Sequence, residues 1–291
     1  MSGKLYVIAT PIGNLGDVST RTVEAIQSCD FVLAEDTRVT IKLLSHFGIQ
    51  KRLVSCHEYN ESERVKMLGE ANAQSQSVAL ISDAGTPLVS DPGYKIVQEA
   101  IALNMVVIPI PGPSAFLLAL VGSGLPCDRF VFEGFLPDKA ISQKKRLEEL
   151  RDETRTLIFY VSPHKVLKTL ALMHEVLGVR RACIAREITK FYEEFVRGTL
   201  VELKEEFSSR DILGEFVLVV EGANKDAGGN AISEELLQKE IREHLAAGLS
   251  VRDLSAAIAE RYELKKSAIY KLAIEVSSQL GDGSQLGDTP V

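Results

Sequence analysis

The chain has 291 residues, 45% of them apolar and 25% charged, with a formal net charge of −7. That length supports two domains with real cores, and the acidic balance argues against a bare nucleic-acid binder, which needs clustered Lys and Arg against phosphate. No apolar run approaches the roughly 18 residues that cross a bilayer, and the opening Met1–Thr10 enters a strand-like segment without a signal-peptide layout, so a cytoplasmic protein with no membrane partner is expected.

From the N-terminus, Leu5–Ala9, Phe31–Ala34, Leu53–Cys56, Val78–Ile81 and Val106–Ile110 read as strands rich in Val, Ile and Leu on both faces. Helical spacing fills the gaps at Thr20–Ser28, Val39–Phe47, Ser62–Ala73 and Pro92–Leu103. Asp91-Pro92 reads as the start of the last of these, with Asp as N-cap and Pro in the first turn, and Gly48 as a helix stop. Strands buried on both faces and separated by helices predict a parallel α/β sheet over residues 1–118.

Pro111-Gly112-Pro113-Ser114 breaks the pattern. A helix to about Val121 follows, and Gly122–Pro126 reads as a hinge. A second α/β domain is expected over 119–222. Its strands are Phe130–Glu133, Thr156–Tyr160, Ala182–Glu187, Glu194–Thr199 and Glu215–Val220; its helices are Lys139–Arg151 and Pro163–Leu177. Only a short segment separates the last two strands, so this sheet is expected to be mixed. After a polar linker, Ser233–Ala246, Val251–Arg261 and Ser267–Gln279 predict a helical domain over 232–280, and 281–291 a disordered tail. The cysteines Cys29, Cys56, Cys127 and Cys183 lie in or beside apolar segments with no CxxC pair, so buried free thiols are expected and no metal site. The histidines other than His57 are isolated.

Parallel sheets bind ligands at the carboxyl ends of their strands. Five such ends are each followed by Gly, Pro or polar residues: Thr10–Asp17, Glu35–Arg38, His57–Glu61, Ser82–Pro87 and Pro111–Ala115. None is a Walker loop or a GxGxxG turn. The Gly-Thr-Pro and Pro-Gly-Pro pieces read equally as tight turns and as ligand cradles.

The blocks Ala9–Asp17, Ala34–Arg38, Ser82–Pro87 and Pro109–Ala115, with Phe132–Pro137 and Gly214–Val219, resemble the signature segments of the ribosomal RNA small-subunit methyltransferase I family, in unbroken order from about residue 4 to 222. The terminal helices resemble the helix-turn-helix that ends many members. The resemblance implies a tetrapyrrole methylase-like (class III methyltransferase) fold and a homodimer. Each protomer would have two α/β domains with S-adenosylmethionine in the cleft between them, plus the small helical domain. It implies 2′-O-methylation of a cytidine ribose in small-subunit ribosomal RNA, on free RNA or the assembled subunit.

Carried over by position, Gly85, Thr86 and Pro87 match the loop that holds the methionine part of the cofactor. Ser114 and Ala115 match the next loop, Tyr160 and Ala185 match cleft positions of the second domain, and Pro11 and Asp83 lie beside the same pocket. Two departures are visible. Thr10-Pro11-Ile12 replaces a glycine-richer first loop, which favours the RNA branch, and Val161 stands where many relatives carry a glutamate. A ribose hydroxyl needs help losing its proton. Glu35 and Asp36, with Arg38 to orient them, are one candidate set, and a helix N-cap with a salt bridge is the competing reading. His57 and Lys190 are further candidates. Two basic stretches, Lys139–Arg155 and Arg180–Arg197, read as solvated faces; in the light of the resemblance the first reads as RNA surface. The terminal helices, with Arg252, Arg261, Lys265, Lys266 and Lys271, read as an RNA grip or a protein-docking unit. Methylation of a tetrapyrrole-like small molecule, and a non-enzymatic regulator built on the terminal helices, are the competing functions.

Overall fold

The structure, a computed structural model, describes residues 2–224, 234–246, 248–262, 264 and 266–282. Five parallel strands form the first sheet: β1 (Lys4–Ile8), β2 (Phe31–Ala34), β3 (Arg52–Ser55), β4 (Ser77–Ile81) and β5 (Val106–Ile110), in the order β3-β2-β4-β1-β5. Helices α1 (Thr20–Ser28) and α2 (Thr37–His46) cover one face, and α3 (Glu61–Ala73) and α4 (Tyr94–Ala102) the other. The period-two alternation of β-strands divides the side chains. On β4, Val78 and Leu80 pack under α3 and α4, while Ala79 and Ile81 pack under α1 and α2.

The connections from β1 and β4 leave in opposite directions across the sheet, so their carboxyl ends flank a switch point, the place where open α/β sheets form crevices.

Helix α5 (Ala115–Ser123) leaves the first sheet after β5 but packs beneath the second, with Ala119 and Leu120 against Ile158, Cys183 and Val217. The expected division at 118/119 falls inside this helix. Gly122, read as part of a hinge, lies in α5 instead: a Cβ there would sit 2.3 Å from the Phe195 ring. The helix ends at Gly124, left-handed at φ +76.

The second sheet contains β6 (Phe130–Phe135), β7 (Thr156–Val161), β8 (Arg181–Arg186), β9 (Glu194–Thr199) and β10 (Phe216–Val220), ordered β6-β7-β10-β8-β9. Only β6 and β7 are parallel, which makes it the mixed sheet expected. Its far face is covered by α6 (Ala140–Glu149), α7 (Val166–Leu177) and α8 (Leu200–Ser208). Helix α8 replaces the short segment expected between β9 and β10. Its signal was the capping box Thr199–Glu202, in which each side chain meets the other residue's backbone N–H.

Three further corrections concern local chemistry. Helix α4 begins at Tyr94 behind Gly93 (φ +124), so Asp91 is not its N-cap and Pro92 is not in its first turn. Cys127 is exposed, whereas Cys29, Cys56 and Cys183 are buried as expected, and burial pushes the Cys29 thiol up to about 12. Helices α9 (Glu234–Ala246), α10 (Val251–Arg261) and α11 (Lys266–Asp282) share one core, including Ile241, Leu254 and Ile269. The first two residues of the expected tail belong to α11, and 283–291 lie outside the described residues.

Candidate active site

At the switch point, the loops after β1 and β4 are stitched together. Thr10 N–H donates to the Gly85 carbonyl at 2.8 Å, Gly85 N–H returns to the Thr10 carbonyl at 3.1 Å, and the Thr10 hydroxyl donates to the Ser82 carbonyl at 3.1 Å. Gly85 holds φ +79, a conformation that costs an L side chain roughly 1–2 kcal/mol. The loop after β5 joins them, its Pro113 carbonyl accepting from the Thr86 hydroxyl at 3.2 Å. Gly112 lets that loop cross the first: a Cβ there would lie 2.8 Å from the Ala9 Cβ.

These loops floor a cavity of about 390 Å³ through Ile12, Gly85, Thr86, Ser114 and Ala115. The second sheet roofs it with Tyr160, Val161, Ser162, Phe216 and Val217. A bulge in β6 between Phe132 and Gly134 carries Phe135 to the cavity wall, where its ring centroid is 5.4 Å from that of Tyr160. Phe132 also packs against Tyr160, at 5.1 Å and edge-on, and burial raises the Tyr160 phenol. The volume suits a small molecule, and the lining is mostly apolar with a few convergent polar groups.

Of the residues carried over from the resemblance, Gly85, Thr86, Ser114, Ala115 and Tyr160 line this cavity. Ala185 is buried in β8, paired in register with the lining residue Val217. Pro11 and Asp83 face a separate pocket of about 260 Å³ on the other side of the first loop, with Thr10, Val39 and Leu43. Pro87 lines neither. Val89, Ser90, Asp91, Phe135, Ser162 and Glu215 also line the cleft, although the sequence offers none of them as a site residue.

The proton-transfer candidates separate into three places. Asp36 caps α2, accepting from Arg38 N–H at 2.8 Å, and Arg38 grips the same carboxylate at 3.0 and 3.1 Å. Hydrogen bonds from the Arg38 side chain and backbone hold Asp36 down at about 2. Glu35 and His57 line an open groove of about 720 Å³ with Tyr59, Ser90, Asp91 and Tyr94. Glu35 accepts from Asp83 N–H at 3.3 Å, and Asp83 accepts from Asp36 N–H at 2.9 Å. Burial raises both Glu35 and Asp83, and repulsion among these carboxylates adds to it. His57 Nδ1 is buried without a partner, and Nε2 is 3.2 Å from Asn60 Nδ2. Lys190 lies over Gly13 and contacts Glu187 at 2.9 Å and Glu215 at 3.1 Å. Burial works against its charge, but these two carboxylates outweigh it and raise its pKa. An ammonium so held donates a proton and does not accept one.

The basic stretches are largely neutralised within the fold. Lys144 pairs with Glu175, Arg146 with Glu133 and Glu149, Arg155 with Glu153, and Arg186 with Glu194. In the terminal helices Arg261 pairs with Glu240. Arg252, Lys266 and Lys271, by contrast, line a common groove of about 580 Å³ with Ser267 and Tyr270 and form no ion pair among the described residues.

The profile of the tetrapyrrole (corrin/porphyrin) methylases matches residues 4–204. Relatives named ribosomal RNA small subunit methyltransferase I match almost end to end. The protein from Synechocystis sp. is 44% identical over 277 residues, covering 95% of this chain and 99% of the relative. That from Pseudomonas aeruginosa is 43% identical over 277 residues, covering 94% and 98%, and that from Escherichia coli O157:H7 is 42% identical over 281 residues, covering 94% and 95%. Among solved structures, the methyltransferase CobJ superposes with a TM-score of 0.56 at 19% identity, covering 80% of this chain and 98% of that one. Uroporphyrin-III-C-methyltransferase from Thermus thermophilus gives 0.53 at 17%, covering 75% and 94%. At such identities these two structures speak for the fold, whereas the long matches speak for the branch within it: the chain belongs to the ribosomal RNA small subunit methyltransferase I family, on the tetrapyrrole methylase fold.

Proposed function

We propose that this protein transfers a methyl group from S-adenosylmethionine to the 2′-hydroxyl of a cytidine ribose in small-subunit ribosomal RNA. The observation that carries this reading is the cleft itself, floored by the strand-end loops of one sheet and roofed by the other, in a chain similar over nearly its whole length to ribosomal RNA methyltransferases. Tetrapyrrole methylation is not favoured, since the long, 42–44% identical matches are to ribosomal RNA methyltransferases, whereas the uroporphyrin-III-C-methyltransferase shares the fold at only 17% identity.

The site fits the cofactor. Gly85 lets backbone approach closely, small residues leave room, and carboxylates stand near a place where a sulfonium cation would sit. When bound, the cofactor supplies an electrophilic methyl group. Gly85, Thr86, Ser114 and Ala115 would hold its methionine end and Tyr160 its roof, with Pro87 and Ala185 supporting these contacts from behind. Pro11, within the first loop, and Asp83, which accepts from Asp36 N–H, stand beside the site in the neighbouring pocket. Methyl transfer is an in-line displacement, so alignment supplies most of the rate.

The RNA substrate would be gripped through phosphate by Arg252, Lys266 and Lys271, with Lys139, Lys145 and Arg151 on and beside α6 as further cations. Leu117, Leu118 and Val121 form an exposed apolar stripe on α5 that suits a homodimer contact. A ribosomal RNA substrate supports a cytoplasmic location.

Mapping ribose methylation on small-subunit RNA from cells with and without the gene tests the activity: one 2′-O-methyl signal should vanish, and an unchanged map refutes it. Calorimetry with S-adenosylmethionine tests the pocket. Gly85→Arg should abolish the binding seen with the wild type, and equal binding by both proteins refutes the cofactor position.

A further inference from the structure

Two residues, Ser90 and Asp91, line both the cofactor cleft and the open groove beside it. The groove is reached from solvent past Tyr59 and Tyr94 and carries Glu35 and His57 on its wall. A methyl donor in the cleft and a nucleotide entering by the groove would therefore meet at this wall. Of the cleft's two carboxylates, Glu215 is tied to Lys190 at 3.1 Å with a side chain 77% exposed, which leaves Asp91 as the one free to take a proton.

The backbone around Asp91 is built to present it. Leu88 at φ +72 and Ser90 at φ +66 are both left-handed without being glycine. Such residues cost on the order of 1 kcal/mol or more each and persist where the surroundings over-determine them. The loop is fixed at its far end by the buried Glu61 carboxylate, which accepts from Gly93 N–H at 3.1 Å and Lys95 N–H at 2.9 Å. No helix cap or ion pair explains Asp91: α4 starts two residues beyond Gly93's neighbour Pro92, and no salt bridge to Asp91 is present among the described residues.

The geometry points to Asp91 as the proton acceptor for the ribose hydroxyl that is methylated, an assignment that rests on the methyl-transfer reading above. As the hydroxyl oxygen forms its bond to the methyl carbon, the carbon–sulfur bond breaks and its electron pair stays on sulfur. The hydroxyl proton passes to an Asp91 carboxylate oxygen and from there to water in the groove. The chemistry of the position agrees. Burial, then repulsion from Glu35 and Asp83, push Asp91 up against the lowering effect of the Ser82 hydroxyl, to about 6. Tyr160 faces it from β7, and His57, Glu58, Glu61 and Tyr94 share the groove wall. A base near the working pH is ionised yet still basic enough to accept.

The test uses the full-length protein with small-subunit RNA. Asp91→Asn should lower kcat by on the order of a hundred- to a thousandfold, while the calorimetric Kd for S-adenosylmethionine stays within about threefold of wild type. In the wild type kcat should rise with pH along an acid limb near 6, and infrared difference titration of the cofactor-free protein should show a carboxyl losing its proton there that Asp91→Asn lacks. Asp91→Asn keeping kcat within about threefold overturns the assignment. So does a tenfold or weaker Kd whose loss of rate is recovered at saturating cofactor, since the carboxylate would then be a cofactor ligand. A wild-type kcat flat from pH 5 to 7 overturns it whatever the variants do. Wild-type protein that binds the cofactor but methylates no small-subunit RNA refutes the proposed function instead, and the infrared titration still reads Asp91.

Discussion

The substitution Asp91→Asn also bears on stability, with a sign set by where the carboxylate sits. Its folded-state value of about 6 lies above the ordinary 3.8, so the folded chain holds the proton more tightly than the unfolded one. The resulting contribution to stability is fully present below the unfolded value and is lost as pH rises through 6. Above that, the ionised group is a net cost. A rise of roughly two units is worth about 3 kcal/mol for a fully shielded group, at 1.36 kcal/mol per unit. Asp91 is only half-buried and opens on a wet groove, so screening reduces this to on the order of 1 kcal/mol. The neutral amide escapes that cost. Denaturant titrations of both proteins should therefore show Asp91→Asn more stable by about 1 kcal/mol at pH 8, a gain in melting temperature of about 2–4 °C. The gap should close towards pH 4, where acid and amide are both neutral. A variant less stable than wild type at pH 8, or a gap equal at pH 4 and pH 8, would refute the reasoning.

Other outcomes follow from the packing. Gly112→Ala places a Cβ 2.8 Å from the Ala9 Cβ and should destabilise the first domain by roughly 1–3 kcal/mol and weaken S-adenosylmethionine binding; unchanged calorimetric affinity would detach this crossing from the site. Glu61→Ala strips one buried and one part-buried backbone donor of their acceptor, at a cost of about 2–3 kcal/mol in denaturant unfolding, and a loss below about 0.5 kcal/mol would show that water replaces it. Replacing Arg252, Lys266 and Lys271 together by alanine should flatten the salt dependence of RNA binding by about three in log–log slope, while Lys144→Ala, already paired with Glu175, should barely change it. Equal effects would mean that ion pairing inside the fold does not govern which cations meet RNA.

The first sheet was readable because burial on both faces and short helical gaps leave few alternatives, and all five strands lie within a residue of their expected bounds. The second was harder. Helix α8 lies where a sequence window between two strands is short, and its capping box Thr199–Glu202 is the one local signal that a helix intervenes. At the site, the strand-end loops stand out in the sequence as a set, yet the sequence presents Asp91 as a helix cap. An Asp-Pro pair ahead of an apolar periodic run has the form of a helix start, and only the buried Glu61, distant in sequence, shows that its carboxylate caps α4 in place of Asp91. Asp36 and Arg38 illustrate the reverse: the bland alternative of cap and ion pair, written into two neighbouring residues, is the geometry found. Charge counts along the chain likewise could not tell Lys144 from Lys266, because their difference lies in a partner more than thirty residues away for one and, among the described residues, in the absence of an ion pair for the other.

Helix α5 carries one more implication. The chain crosses from the first sheet to the second once, at Pro111–Ser114, and Ser114 belongs to the cleft that the two sheets enclose. Joint and floor are therefore the same short stretch, stiffened by two prolines with restricted φ. Filling the cleft and fixing the angle between the sheets are then a single equilibrium. Whatever narrows that angle, a second protomer on α5 or a ribosomal surface spanning both domains, must strengthen cofactor binding by the factor with which the cofactor strengthens it in return.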